Sequence, residues 1–260
     1  MSEAAGLYYE VHGADDAPPL ILSSGLGGSA DYWKSNLRAL ASHFRVIAYD
    51  HRGTGRSDRA LPDAVTVDDL ADDISALLDA LGIERAHIMG HAAGGVAGLA
   101  LALQRPDRLH KLVVVNGWAR PDPHFLRCFA MRLSVLRDSG PEAYLRAQPI
   151  FLYPAPWISE HSAVLDTELP LQLASFPGRE TTEKRIAALT AFDVSPQIER
   201  LAVPMLALAA KDDMLVPYTA SEVFEAAPYA ATAWMGWGGH ACNVTDPGTF
   251  NLLVLDYLRS

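Results

Sequence analysis

Short apolar runs rich in Val, Ile and Leu alternate along this chain with longer amphipathic stretches. The runs at Leu20 to Ser23, Arg45 to Tyr49, Ala86 to Gly90, Leu112 to Asn116, Met205 to Ala209 and Ala231 to Met235 predict strands. Leu7 to Val11 alternates in polarity and predicts an antiparallel edge strand. The stretch from about Val67 to Leu81 puts Leu70, Ile74, Leu77, Leu78 and Leu81 on one helical face. Its early Asp68, Asp69, Asp72 and Asp73 lie where the helix dipole favours anions, so they mark a solvated helix start and not a metal site. Strands alternating with helices predict an α/β fold with a doubly wound, mostly parallel sheet.

The rhythm breaks between about Trp118 and Pro196 and resumes at Val203. Within the break, a helical patch at Phe125 to Leu136 is followed by prolines at 149, 154, 156, 170 and 177 that predict broken turns. Phe125, Arg127, Phe129, Phe151, Tyr153 and Trp157 enrich the segment in aromatic and arginine side chains. An insertion of this kind must bury its own apolar face, which predicts a helical cap over residues 118–196 within a single domain spanning 1–260.

With 260 residues, half of them hydrophobic, the chain is long enough for one large core. A net charge of −10 without any Lys/Arg-rich run argues against nucleic acid or an anionic membrane surface and for a small-molecule partner. The start has no basic and apolar signal pattern, and no apolar run approaches a membrane span. Cys128 and Cys242 have neither CxxC nor metal-ligand spacing, which fits a reducing, cytoplasmic setting. The glycines around position 53 lack the context of a nucleotide-binding loop, so no cofactor is expected. Monomer and homodimer are both compatible with the sequence.

Several motifs occur in a fixed order. Ser24-Gly25-Leu26-Gly27-Gly28-Ser29 follows the first strand of the alternation, and Asp50-His51-Arg52-Gly53-Thr54-Gly55-Arg56-Ser57 follows the next. Gly90-His91-Ala92-Ala93-Gly94-Gly95 forms a strand-to-helix turn, and Asp213-Met214-Leu215-Val216-Pro217 precedes Gly238-Gly239-His240. Together they resemble the α/β-hydrolase fold: oxyanion loop, D-x-R-G-x-G-x-S turn, nucleophile elbow, then acid and histidine. The elbow carries the methyl group of Ala92 where the attacking serine oxygen belongs.

Further segments narrow the resemblance. Val115-Asn116-Gly117-Trp118, Arg127-Cys128-Phe129, Gln148 to Ala155 and Gly239 to Pro247 are similar to the RutD family of the bacterial Rut pathway of pyrimidine utilisation, whose assigned substrates are carbamate or aminoacrylate. The resemblance implies that alanine is ordinary at the elbow. It also implies roles for His240 as acid or base, Asp213 as its orienting carboxylate, and the backbone N–H groups of Leu26 and Ala93 as an oxyanion hole. Asp212, His91 and Cys242 are not assigned catalytic roles. Both candidate substrates carry a carboxylate, for which Arg52, Arg120, Asn116 and Trp118 are the candidate contacts.

Without a serine, the covalent acyl route is closed, but an oxyanion hole and binding alone can leave roughly 10³- to 10⁴-fold acceleration over water. That suffices for a substrate already prone to break down. Three readings stay open: a serine-free hydrolase, a non-catalytic binding or scaffold protein, and a serine esterase or amidase whose nucleophile has been replaced by alanine.

Overall fold

The computed structural model describes residues 2–260. Its sheet has eight strands in the order β1-β2-β4-β3-β5-β6-β7-β8. The ranges are β1 Ser2–Ala4, β2 Leu7–His12, β3 Pro19–Ser23, β4 Arg45–Tyr49, β5 Ala86–His91, β6 Leu109–Val115, β7 Met205–Ala210 and β8 Ala230–Met235. β1 and β2 run antiparallel to their neighbours and the remaining pairs are parallel. The edge expected at Leu7 lies one strand further out, because Ser2–Ala4 pairs onto β2 and takes that position.

The helices are α1 Lys34–Ala41, α2 Val67–Ala80, α3 Ala93–Gln104, α4 Pro123–Leu152, α5 Ala155–Ser175, α6 Arg179–Ala191, α7 Thr219–Glu222, α8 Cys242–Thr245 and α9 Pro247–Arg259. None of the described helices is long and apolar enough to cross a membrane. The strand pattern explains how they are distributed. Successive strand residues point to opposite faces, and both faces are buried. Ile21, Ile47, Ile88 and Val114 pack with Ile74, Leu77 and Leu78 of α2 and with α3. Leu20, Leu22, Val46 and Val113 pack with Leu40 of α1 and with Phe250 and Val254 of α9. A strand covered on both sides has no use for a polar face, hence the continuous apolar runs. At the start of α2, the Thr66 side chain and Asp69 form a reciprocal cap, the local reason for acidic residues there.

α4, α5 and α6 all lie between β6 and β7. Pro154 and Pro177 fall in the breaks before and after α5, as expected, but Pro149, Pro156 and Pro170 do not break the chain. Pro149 lies inside α4 and Pro170 inside α5, whereas the break within α4 falls at Gly140, with φ +84° and ψ −179°, immediately before Pro141. Proline is well placed at the start of a helix, so Pro141 and Pro156 begin helical rods instead of ending them.

Strand order also places the site. The chain moves outward from β3 to β4 and then returns to the other side of β3 with β5. Such a reversal opens a crevice at the carboxyl ends of β3 and β5, where open α/β sheets bind ligands. The Ser24–Ser29 loop leaves β3 there, and the elbow leaves β5.

Candidate active site

The elbow is built by close backbone approach. A Cβ on Gly94 would collide with the Ser23 carbonyl, and one on Gly90 with the Gly94 backbone, so α3 can lie directly across the ends of β3 and β5 only with glycine at both positions. Ala92 takes φ +46° and ψ −107°, a conformation costing on the order of 1–3 kcal/mol for a residue with a Cβ. Its N–H donates to Val115 O at 2.8 Å, which helps hold the turn. A Cβ placed on Gly25 would lie 3.9 Å from Ala92 Cβ, so the loop after β3 is directly apposed to the elbow. Gly94 N–H donates to Ser24 O at 2.9 Å. Ala93 N, at the first position of α3, and Leu26 N donate to no backbone carbonyl in turns, loops or caps among the described residues.

His240 meets Asp213 across the C-terminal loops. Nδ1 donates to Asp213 Oδ2 at 2.8 Å, and Asp213 Oδ1 accepts from Leu215 N at 2.8 Å and Val216 N at 2.9 Å. With Nδ1 engaged, Nε2 is the nitrogen left for chemistry in the cavity that His240 lines. The histidine main chain is pinned from below: His240 O accepts from Asn116 Nδ2 at 2.6 Å and His91 Nε2 at 2.7 Å. Burial, and then the neighbouring His240, push the His91 pKa well below the ordinary value. Its ring is therefore neutral, with hydrogen on Nε2 and a lone pair on Nδ1.

The cavity above the elbow measures about 530 Å³ and runs from Leu26, Ala92, Ala93 and His240 to Phe129 and Arg132 of α4. Several residues around it carry buried polar atoms without a protein partner: Ser24 Oγ, His91 Nδ1, Trp118 Nε1 and Arg132 Nε. Such orphans are rare in folded proteins. Here they gather around one cavity and suit a polar ligand. No group of three or more His, Cys, Asp or Glu side chains able to hold a metal occurs among the described residues.

The structure brings His240, Asp213, Ala92, Leu26, Ala93 and Trp118 to this place, with Trp118 packed on Phe125 at 4.5 Å between ring centres. Asn116 lies beneath it as a brace. Its left-handed backbone, φ +48°, lets Oδ1 accept from Ala210 N at 3.0 Å while Nδ2 reaches the histidine loop. Arg52 lies outside the cavity, its Nη2 on Asp73 at 2.6 Å and also donating to Ala5 O. Arg120 is exposed and does not line the cavity. Arg127 is exposed and bonds back to Pro123 O. Asp212 accepts from Gly239 N at 2.9 Å and shapes the histidine loop. Burial, with Asp213 nearby, pushes the Cys242 thiol up to about 12, which leaves it a poor nucleophile at neutral pH.

Arg132 and Arg185 escaped the sequence analysis. Arg185 of α6 donates through Nε to Leu26 O at 3.1 Å and through Nη2 to His51 Nδ1 at 2.8 Å. Because arginine only donates, His51 Nδ1 is the acceptor and Nε2–H points at Ser23 Oγ, 3.0 Å away. Burial, reinforced by Arg185, holds the His51 pKa well below normal, which keeps this tautomer neutral. The β4 turn is equally fixed. Burial pushes the Asp50 carboxyl up, but the Arg56 side chain and the N–H groups of Ala30 and Arg56 outweigh it and hold the group below its usual pKa.

A family model for the alpha/beta hydrolase fold matches residues 18–144. A RutD of Caulobacter sp. strain K31, provisionally assigned as a carbamate hydrolase, is 54% identical over 256 residues, covering 97% of this chain and 96% of that protein. This chain belongs to the RutD family. Another RutD with the same provisional assignment, from Agrobacterium fabrum, is 44% identical over 97% of this chain and 98% of its own length. Among solved structures, an enol-lactonase from Burkholderia xenovorans LB400 superposes with a TM-score of 0.88 at 26% identity, covering 99% of this chain and 98% of its own. A hydrolase from Pseudomonas aeruginosa gives 0.85 at 29% identity, with 98% and 94% coverage. This member of the family is thus an α/β hydrolase whose elbow holds alanine.

Proposed function

We propose that this RutD-family hydrolase breaks the C–N bond of a small, intrinsically labile substrate, carbamate or aminoacrylate, without a covalent enzyme intermediate. The observation that carries the reading is the His240–Asp213 pair, fully assembled beside an elbow that has no nucleophilic oxygen. The relatives' provisional carbamate hydrolase assignment agrees with it.

For carbamate, His240 delivers a proton from Nε2 to the substrate nitrogen. The C–N electron pair leaves with that nitrogen, so ammonia and carbon dioxide form together and His240 is reprotonated from solvent. For aminoacrylate, the same histidine serves water attack, with ammonia again the leaving group. In both, Asp213 fixes the ring and balances the imidazolium charge. The Leu26 and Ala93 N–H groups hold the substrate oxygen: they orient carbamate for protonation at nitrogen, and for aminoacrylate they stabilise the charge that develops as water adds. The helices between β6 and β7 act as the cap that shapes the cavity.

Time-resolved ammonia release from freshly generated carbamate, compared among the protein, His240→Ala and buffer, tests this. Acceleration lost in His240→Ala is the expected result. Identical traces would remove carbamate breakdown, and the same result with aminoacrylate would leave ligand binding as the role of the cavity.

A further inference from the structure

Arg132 is 4% exposed and lines the same cavity as the elbow. Its Nη2 donates to the uncharged Tyr144 hydroxyl at 2.8 Å and Gln148 Oε1 at 3.3 Å, and its buried Nε has no partner. Aromatic rings close around it: Phe129, Tyr144 and Phe151 have centroids 5.1, 5.1 and 5.5 Å from the guanidinium carbon. No carboxylate pairs with it among the described residues. Asp31 and Glu168, the acidic side chains lining the cavity, make no ion pair to it. A buried cation stripped of water and given only neutral partners is unfavourable unless something supplies the opposite charge.

We propose that Arg132, with Gln148 and Tyr144 holding its Nη2, is the cation of a carboxylate-binding subsite at the α4 end of the cavity. Its Nη1 makes no hydrogen bond to the described residues of the protein, which leaves donors and a full charge for an anion in the cavity. Position along α4 gives the ligand a minimum shape. Phe125, which touches Trp118 beside the end of β6, lies two turns before Arg132, a rise of roughly 10 Å. A ligand reaching from the oxyanion loop to Arg132 therefore has its carboxylate at the far end, with a short apolar stretch lying along Phe125 and Phe129. Carbamate and aminoacrylate are too short for that span, so the subsite selects a further ligand of the same cavity, a short-chain organic carboxylate held by its acid group. The proposal rests on the reading of this cavity as the ligand site, but not on any particular reaction there.

Isothermal titration at constant ionic strength with sodium hexanoate, and with hexanamide as its uncharged counterpart, tests it. The wild type is expected to bind hexanoate at least tenfold more tightly, and His240→Ala to keep that preference, since the anchor does not depend on catalysis. Arg132→Met is expected to bind both probes alike. Gln148→Glu places a carboxylate against the guanidinium from within the protein. It is expected to abolish the preference while remaining folded, and it decides the matter should Arg132→Met fail to fold. Equal binding of the two probes by the wild type, or a preference that survives Gln148→Glu, would overturn the proposal and leave Arg132 as packing between aromatic rings.

Discussion

His91 and His240 hold each other in place: Nε2 of the first donates to the main-chain oxygen of the second at 2.7 Å, and their ring centres are 4.6 Å apart, edge to face. The elbow thus carries the support for the histidine even though it lacks the atom that histidine ordinarily activates. Replacement of His91 by Phe keeps the ring but removes the donor, leaving Asn116 to hold the carbonyl. Activity is expected to fall roughly tenfold through displacement of His240, with little change in substrate affinity. A pure affinity loss in ammonia-release kinetics would assign His91 to substrate binding instead.

Asp213→Asn should be more severe. The carboxylate both accepts the Nδ1 hydrogen and receives two backbone N–H groups, and an amide cannot accept at both of its positions. A rate loss of roughly 10²- to 10⁴-fold with an unchanged melting curve is expected. A variant with near-normal turnover would show that the pair has only a structural role.

Ala92→Ser adds one oxygen to a backbone already in the elbow conformation. The variant is expected to react covalently with phenylmethylsulfonyl fluoride and to release a burst of p-nitrophenolate from p-nitrophenyl acetate. The natural chain should do neither. Intact-mass measurement reads the first directly, and absence of the adduct in the variant would mean that His240 is not aligned to activate an oxygen at this position.

Acid sensitivity should come from histidines kept neutral by the fold. Burial, with smaller contributions from His110 and Lys111, lowers His87 to about 4, and His51 and His91 are shifted in the same direction. Below about pH 6.5 the unfolded chain binds protons at these sites that the folded chain refuses. Stability should therefore be full above that pH and decline steadily as pH falls toward about 4, the value for His87. Urea midpoints between pH 7 and 4 should show the decline, and His87→Gln should flatten part of it. A midpoint independent of pH across this range would contradict the account.

Gly94→Ala tests the close approach at the elbow. The added methyl meets the Ser23 carbonyl in the middle of the sheet, where neither strand nor helix can yield. A loss of at least about 3 kcal/mol in chemical denaturation, or failure to fold, is expected. A stable variant would require α3 to have shifted.

The parallel strands were legible because a strand buried on both faces writes itself as an unbroken apolar run. Ser2–Ala4 was not, since three exposed or half-buried residues pairing only at the sheet margin carry no such signal. The motifs located the elbow, the loop and the histidine pair, but the substrate contacts suggested for Arg52 and Arg120 rested on charge alone. Position in a helical stripe is the better guide. Phe125, Phe129, Arg132 and Leu136 follow one buried face of α4, and Thr182, Arg185, Ile186 and Leu189 follow one of α6. An arginine occupying an apolar register position was visible in the sequence, but only the neighbouring elements determine what it faces. Pro154 and Pro177 do fall in the breaks on either side of α5, but Pro149 and Pro170 misled because each lies inside a helix whose remaining bonds and packing outweigh the N–H that proline lacks.

Arg185 fastens α6 to the Leu26 carbonyl and to His51, so this helix cannot move outward without dragging the Ser24–Ser29 loop along. α5 has no such tether. Leu169 is its one buried residue, and Leu171, at the rim of the cavity, is 71% exposed. The two ends of the cavity are accordingly free to diverge: the α5 rim can be rewritten residue by residue while the frame that Arg185 fastens stays as it is.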